Sequence, residues 1–89
     1  MSDADTFKVT VLAPEGILWI GQAEMLVAPG ALGQFTILPR HIPMISLLEA
    51  GSVLVHEKKT GVPPQAFDIT HGVCSVLPTE VVVLGHLRG

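Results

Sequence analysis

Tyrosine and asparagine are missing from the 89 residues, cysteine occurs once, and charged side chains make up 15% of the chain. Each shortage excludes something. A single thiol, Cys74, cannot form an internal disulfide, which fits a reducing compartment. Five Lys and Arg against eight Asp and Glu leave a net charge of -3. No basic stripe for phosphates and no set of stacking aromatics exists, so nucleic acid is not expected as a partner. The longest apolar runs are about four residues, as in Ile17–Ile20 and Val81–Leu84, far short of the ~20 that a spanning helix needs. Residues 1–6 carry Asp3 and Asp5 and no basic residue, unlike a secretory leader. The chain is expected to be soluble and to stay in the compartment where it is made.

What is present is apolar. Hydrophobic residues reach 48% and the mean hydropathy is +0.55, while charge falls below the roughly 25% of an average soluble domain. A chain of this length forms one domain, residues 1–89, and buries roughly 60% of its unfolded surface. So much apolar material is hard to hide in so small a body, and part of it is expected to face a partner.

Periodicity predicts strands throughout. Phe7, Val9 and Val11 alternate with Lys8 and Thr10, the pattern of a half-buried strand. Ala13-Pro14-Glu15-Gly16 reads as a turn, Ile17–Ile20 as a strand ended by a bend or bulge at Gly21, and Gln22 to Val27 as another strand. The five apolar-rich residues from Met44 to Leu48 are too short for a helix, and strand is favoured. Ser52 to Glu57 follows, with Lys58-Lys59-Thr60-Gly61 as a polar hairpin tip and Val62-Pro63-Pro64 extended at an edge. Ala66 to Thr70 ends at His71-Gly72. Val73 to Leu77 and Glu80 to Leu84 form a last pair around Pro78-Thr79. Val81–Leu84 does not alternate, so both faces of that strand should be covered. No stretch offers ten residues of helical periodicity, and nine glycines and seven prolines supply the turns. The predicted class is all-β: an antiparallel sandwich or flattened barrel of about ten strands.

One stretch organises the rest: Pro29-Gly30-Ala31-Leu32-Gly33-Gln34-Phe35-Thr36-Ile37-Leu38-Pro39-Arg40-His41-Ile42-Pro43. Two glycines bracket a tight turn, a strand runs from Phe35 to Leu38, and Pro39 stops it because it cannot donate to a ladder. Pro43 biases Ile42 to an extended conformation. Arg40 and His41 are thereby held on a stiff corner, where they are expected to meet another molecule.

Chemistry is scarce. His41, His56, His71 and His86 fall fifteen apart, but their contexts share nothing and no repeat is inferred. No metal-ligand spacing occurs. Cys74 lies in an apolar strand without a base beside it in sequence, the setting of an inert buried thiol. Ser46, Ser52 and Ser75 stand in no nucleophile-elbow context, and Gly30 and Gly33 lack the Gly-Lys-Ser/Thr that cradles phosphate. The chain is not expected to be an enzyme by itself, or to hold a cofactor.

The order of these features resembles one family. Val9–Leu12, Pro14-Glu15, Trp19-Ile20-Gly21, Pro29-Gly30 and the long Gly33-to-Pro43 signature are similar to the N-terminal domain of the epsilon subunit of F-type ATP synthase. Leu48-Glu49-Ala50-Gly51, Thr70-His71-Gly72-Val73 and Val81–Leu84 fall where that family has equivalents, so the likeness covers about residues 7–88. It implies a ten-stranded sandwich in the central stalk of the rotor. Such a domain clamps the gamma subunit to the c-ring and couples rotation to ATP synthesis or hydrolysis. Carried over, Gly33, Gln34, Phe35 and Arg40 would face the c-ring loops, and His41, Ile42 and Ser46 would lie near gamma. The location implied is peripheral, on the cytoplasmic face of the inner (plasma) membrane, touching the membrane only through the complex. The family often has Gly where Arg40 stands and an acidic residue where Gln34 stands. Typical members continue into an inhibitory helical hairpin; this sequence stops at Gly89, where the hairpin would start, so a domain without it is expected. The alternative reading is a free-standing β-sandwich binding module with an unrelated partner.

Overall fold

The computed structural model describes residues 5–58 and 61–89. Lys59 and Thr60 of the expected hairpin tip lie outside the described residues. Among those described there are eight strands: β1 (Phe7–Ala13), β2 (Gly16–Ala23), β3 (Met25–Gly30), β4 (Gly33–Ile37), β5 (Met44–Leu48), β6 (Gly51–His56), β7 (Gln65–Val76) and β8 (Glu80–Leu87). Their pairing order is β2-β1-β8-β7-β5-β3-β4, with β6 bridging β3 and β7. No helix among the described residues is long and apolar enough to cross a membrane.

Two layers arise because β7 belongs to both. Its first half, from Gln65 to Ile69, pairs with β6, and its second half, from Gly72 to Val76, pairs with β5. Between the halves the register with β8 slips by one residue, between Ile69 and His71. The expected break at His71-Gly72 is therefore a bulge within one twelve-residue strand, which lowers the strand count below the ten expected. Gly72 faces Gly85 across the ladder, and a Cβ on Gly72 would overlap the Leu84 carbonyl oxygen. Only a residue without a side chain lets the two backbones approach this closely.

Other departures are local. The strand predicted to bend at Gly21 runs straight through it, with the Trp19 ring lying over the glycine. The irregularity falls instead at Leu18, because Val11 pairs with Trp19 and Leu12 with Ile17. Gln22 to Val27 is divided at Glu24 between β2 and β3. Val62-Pro63-Pro64 precedes β7 rather than joining a ladder. One pairing is parallel: β1 lies beside β8 with Val9 opposite Val81 and Val11 opposite Val83.

The inner faces of both layers meet in one core. Val9, Val11, Leu26, Val53, Val55, Ile69, Val76, Val81 and Val83 are fully buried, and Leu18, Trp19, Phe35 and Phe67 close its rim. Among the described residues no polar or charged side chain is buried, and no buried side-chain nitrogen or oxygen lacks a partner. Branched aliphatic side chains dominate because they pack well on a pleated surface.

Replacing Gly72 by Ala should lower stability by roughly 2 kcal/mol, because the added methyl must push apart two backbones rather than a flexible side chain. In a domain of this size that is a fall of about 8–16 °C in Tm, measurable by thermal denaturation. A fall of a degree or less would show that the crossing tolerates a wider spacing.

Candidate functional site

The signature stretch folds into two separate features. β3 and β4 form a hairpin whose two-residue tip is Ala31-Leu32, with Gly30 paired to Gly33 and Gly33 at φ 130°. Leu32 is fully exposed there, and Gly33 and Gln34 are exposed beside it. Phe35 pairs with buried Ala28, so its ring turns inward and packs on the core rather than outward with its neighbours. At the far end of β4, one strand length from that tip, Pro39 and Arg40 make the corner. The fold therefore does not bring Arg40 together with Gly33 and Gln34.

Arg40 is the one described non-glycine residue with positive φ, at 64°. This left-handed conformation costs an L-residue roughly 1–2 kcal/mol, which explains why glycine suits the position. Its side chain borders an open groove with Asp5, Glu24 and Lys58. The Lys58 ammonium lies 2.7 Å from Asp5 and holds that carboxyl below its ordinary value, by hydrogen bond first and charge second.

His41 turns back onto its own chain. Its Nδ1 lies 3.1 Å from the Leu38 carbonyl and its Nε2 2.5 Å from the Leu77 carbonyl, and the Phe7 ring meets it edge-on at 5.2 Å. The imidazole thus fastens the corner to the β7–β8 turn, and Ile42 is the residue left pointing out, 82% exposed. Ser46 is half-buried opposite Cys74, with its hydroxyl donating to the Leu47 carbonyl at 3.2 Å.

A larger surface lies on the outer face of β2, β1, β8, β7 and β5. Registers place Ile17, Leu12, Leu84, Val73 and Leu47 in one row and Ile20, Thr10, Val82, Ser75 and Ile45 in the next. Ile45 is 76% exposed, Leu47 66% and Leu84 41%. Neither row carries a charge. Lys8 and Glu80 fringe one end, and His71 and His86 the other. Val81–Leu84 is consequently covered on one face only within this chain: Val81 and Val83 are buried, Val82 and Leu84 are not. The opposite outer face is more polar, with Ser52, Asp68, Thr36 and Gln34 exposed. Residue reasoning anticipated apolar surplus but missed Ile45 and Leu47; the non-alternating valine run was the signal that pointed to their face.

No group of three or more potential metal ligands converges among the described residues. Burial pushes the Cys74 thiol up from 9.0 to about 12, which keeps it protonated and unreactive at neutral pH.

A domain with one uncharged, five-stranded outer face and an exposed hairpin tip has counterparts among known proteins. The family model described as "ATP synthase, Delta/Epsilon chain, beta-sandwich domain" matches residues 6–86. The chain belongs to this family. The ATP synthase epsilon chain 1 of Methylococcus capsulatus is 40% identical over 81 residues, which cover 91% of this chain and 56% of that one. The epsilon chain of Caulobacter vibrioides is 37% identical over 75 residues, 84% of both chains. This chain spans about half the length of most of the curated epsilon relatives it matches. A chain of the Euglena gracilis mitochondrial ATP synthase shares the fold with a TM-score of 0.81 at 14% identity, covering 91% of this chain and 51% of that chain. Within the delta/epsilon family, the matched region is the sandwich alone.

Two expectations follow for the corner and the thiol. Arg40→Gly should raise stability by about 0.5–1 kcal/mol by relieving the left-handed strain. His41→Ala should cost about 1–2 kcal/mol through the lost ring N–H donation to a backbone carbonyl and the lost Phe7 contact. Urea denaturation of each variant distinguishes this from a corner whose side chains are free, for which both changes stay within about 0.5 kcal/mol. Cys74 should resist thiol reagents until the chain unfolds. Its folded pKa is raised, so its stabilisation is fully present below about pH 9 and is lost at roughly 1.4 kcal/mol per pH unit toward pH 12. Cys74→Val should flatten that decline.

Proposed function

We propose that the chain is a rotor subunit in the central stalk of an F-type ATP synthase, clamping gamma to the c-ring and coupling rotation to ATP synthesis or hydrolysis. The observation that carries this is the uncharged face spanning β2, β1, β8, β7 and β5, on a sandwich of the delta/epsilon family. Aliphatic rows of this width are unusual on a free monomer and suit a protein partner. Gamma is assigned to this face, with Ile42 at its margin and His41 and Ser46 behind it as supports. The c-ring loops are assigned to the Ala31-Leu32 tip with Gly33 and Gln34, while Phe35 anchors that hairpin to the core. Arg40, at the other end of β4, makes a separate contact. A chain of the Tetrahymena thermophila central stalk and c-ring assembly has the same fold, with a TM-score of 0.71 at 14% identity, covering 90% of this chain and 63% of that chain; this supports the reading at the level of architecture.

The role is mechanical and non-catalytic. The sandwich acts as one unit, peripheral to the membrane on its cytoplasmic face and joined to it through the ring. Torque passes through a domain only if it deforms less than its joints, and a close-packed core with short turns meets that need.

Reconstitution tests this. Added to synthase stripped of its own epsilon, the 89-residue chain should restore coupling of ATP hydrolysis to ion pumping without suppressing hydrolysis by the detached catalytic head. Leu47→Lys and Leu84→Lys should each weaken gamma binding by at least about tenfold, since each places a charge in an apolar contact, while melting temperatures stay nearly constant. Unchanged gamma binding in both variants would reject the assigned face. Strong inhibition of the head would reject a purely coupling role for the sandwich.

A further inference from the structure

The four histidines share a spacing without sharing a context, yet two of them meet. His71 on β7 and His86 on β8 are direct cross-strand partners beside the bulge. Their rings stack with centroids 4.1 Å apart and planes inclined by 18°, and both side chains are exposed.

The neighbouring Thr70 fixes the chemistry of one ring. Its hydroxyl oxygen lies 3.3 Å from the His86 carbonyl and 3.0 Å from His71 Nδ1. Both contacts are hydrogen bonds at once only when the hydroxyl donates to the carbonyl, which can only accept, and its oxygen accepts from Nδ1–H of His71. That arrangement leaves the lone pair of His71 on Nε2. Metal-bound histidines are held in the same way, with the other ring nitrogen donating to an oxygen that sets tautomer and orientation.

We propose that His71 and His86 form a two-histidine site for a divalent transition-metal ion, bridging β7 and β8 at the end of the apolar face. Neutral imidazole suits copper(II), nickel(II) and zinc(II), and copper(II) binds tightest by the general order of affinities. The stacked rings aim their in-plane lone pairs side by side, so ligation requires each exposed side chain to turn out of the stack until one nitrogen of each lies about 2.0–2.1 Å from the ion, which direct cross-strand partners can do without moving the backbone. The ion would be open on its outer side, since no third His, Cys, Asp or Glu joins the pair among the described residues. Arg88, just beyond the end of β8, is engaged with Asp68 at 3.2 Å. Water, or a ligand from a docked partner, completes the coordination.

Copper(II) titration of the full chain near pH 7.5 should show one ion bound, with an electron paramagnetic resonance spectrum split by two imidazole nitrogens. His71→Ala and His86→Ala should each weaken binding by at least about tenfold and leave a single-nitrogen spectrum. Thr70→Val should weaken it by about tenfold with both nitrogens retained, and Thr70→Ser should restore it. His56→Ala should change nothing. Acidification should release the ion, because a protonated imidazole has no free lone pair. In the unmutated chain, copper(II) should also protect His71 and His86, and not His56, from modification by diethyl pyrocarbonate. Binding that survives the double substitution, or absence of binding at millimolar copper(II), overturns the site.

Discussion

The sandwich depends on one strand being shared by two sheets. β7 can pair with β6 through its first half and β5 through its second only if it turns between Ile69 and Gly72 without leaving the β8 ladder. The bulge supplies the turn, and the facing glycines supply the room. A side chain at Gly72 would separate β7 from β8 and open the core along its length, because Ile69, Cys74 and Val76 on one side of that seam pack with Val81 and Val83 on the other. Closure of the two layers is thus a backbone event before it is a packing event.

Closure also decides which apolar surface remains outside. Once alternate residues of β1, β8, β7 and β5 are committed to the core, their intervening neighbours must share the opposite face. There Leu12, Leu84, Val73 and Leu47 fall side by side by register alone. None of them lines the core, so core packing does not require aliphatic side chains there. Their aliphatic character therefore belongs to an interaction rather than to the fold, and this is the physical link between the sandwich and its proposed place against gamma.

Much of the fold was legible in the residues. Period-two alternation located β1, short apolar runs bounded by turn residues located β6 and β8, and Pro39 and Pro43 framed the corner between β4 and β5. His71-Gly72 was misread as a strand end because a glycine next to a polar residue signals a turn and a bulge alike; only the continuing partner strand separates the two. The candidate residues were less legible. His41 and Phe35 look outward-facing in a signature, but a carbonyl from Leu77 and the core next to Ala28 claim them, and neither claim has a local sequence sign. The histidine pair was hidden for the same reason: a fifteen-residue interval says nothing until a hairpin folds it in half.

Rigidity is the property these details share. The β3–β4 tip is tied to β5 through backbone bonds from Ala31 to Leu47 and from Glu49 to Pro29, so an exposed turn is braced from behind. His41 braces the opposite end of β4 against the β7–β8 turn. Between the two braces lies β5, whose Ile45 and Leu47 belong to the apolar face. A force applied at the tip is carried into that face through hydrogen-bonded strands rather than through a loop. Loosening either brace should then weaken coupling between the two surfaces before it unfolds the domain, because local opening costs less than loss of the core.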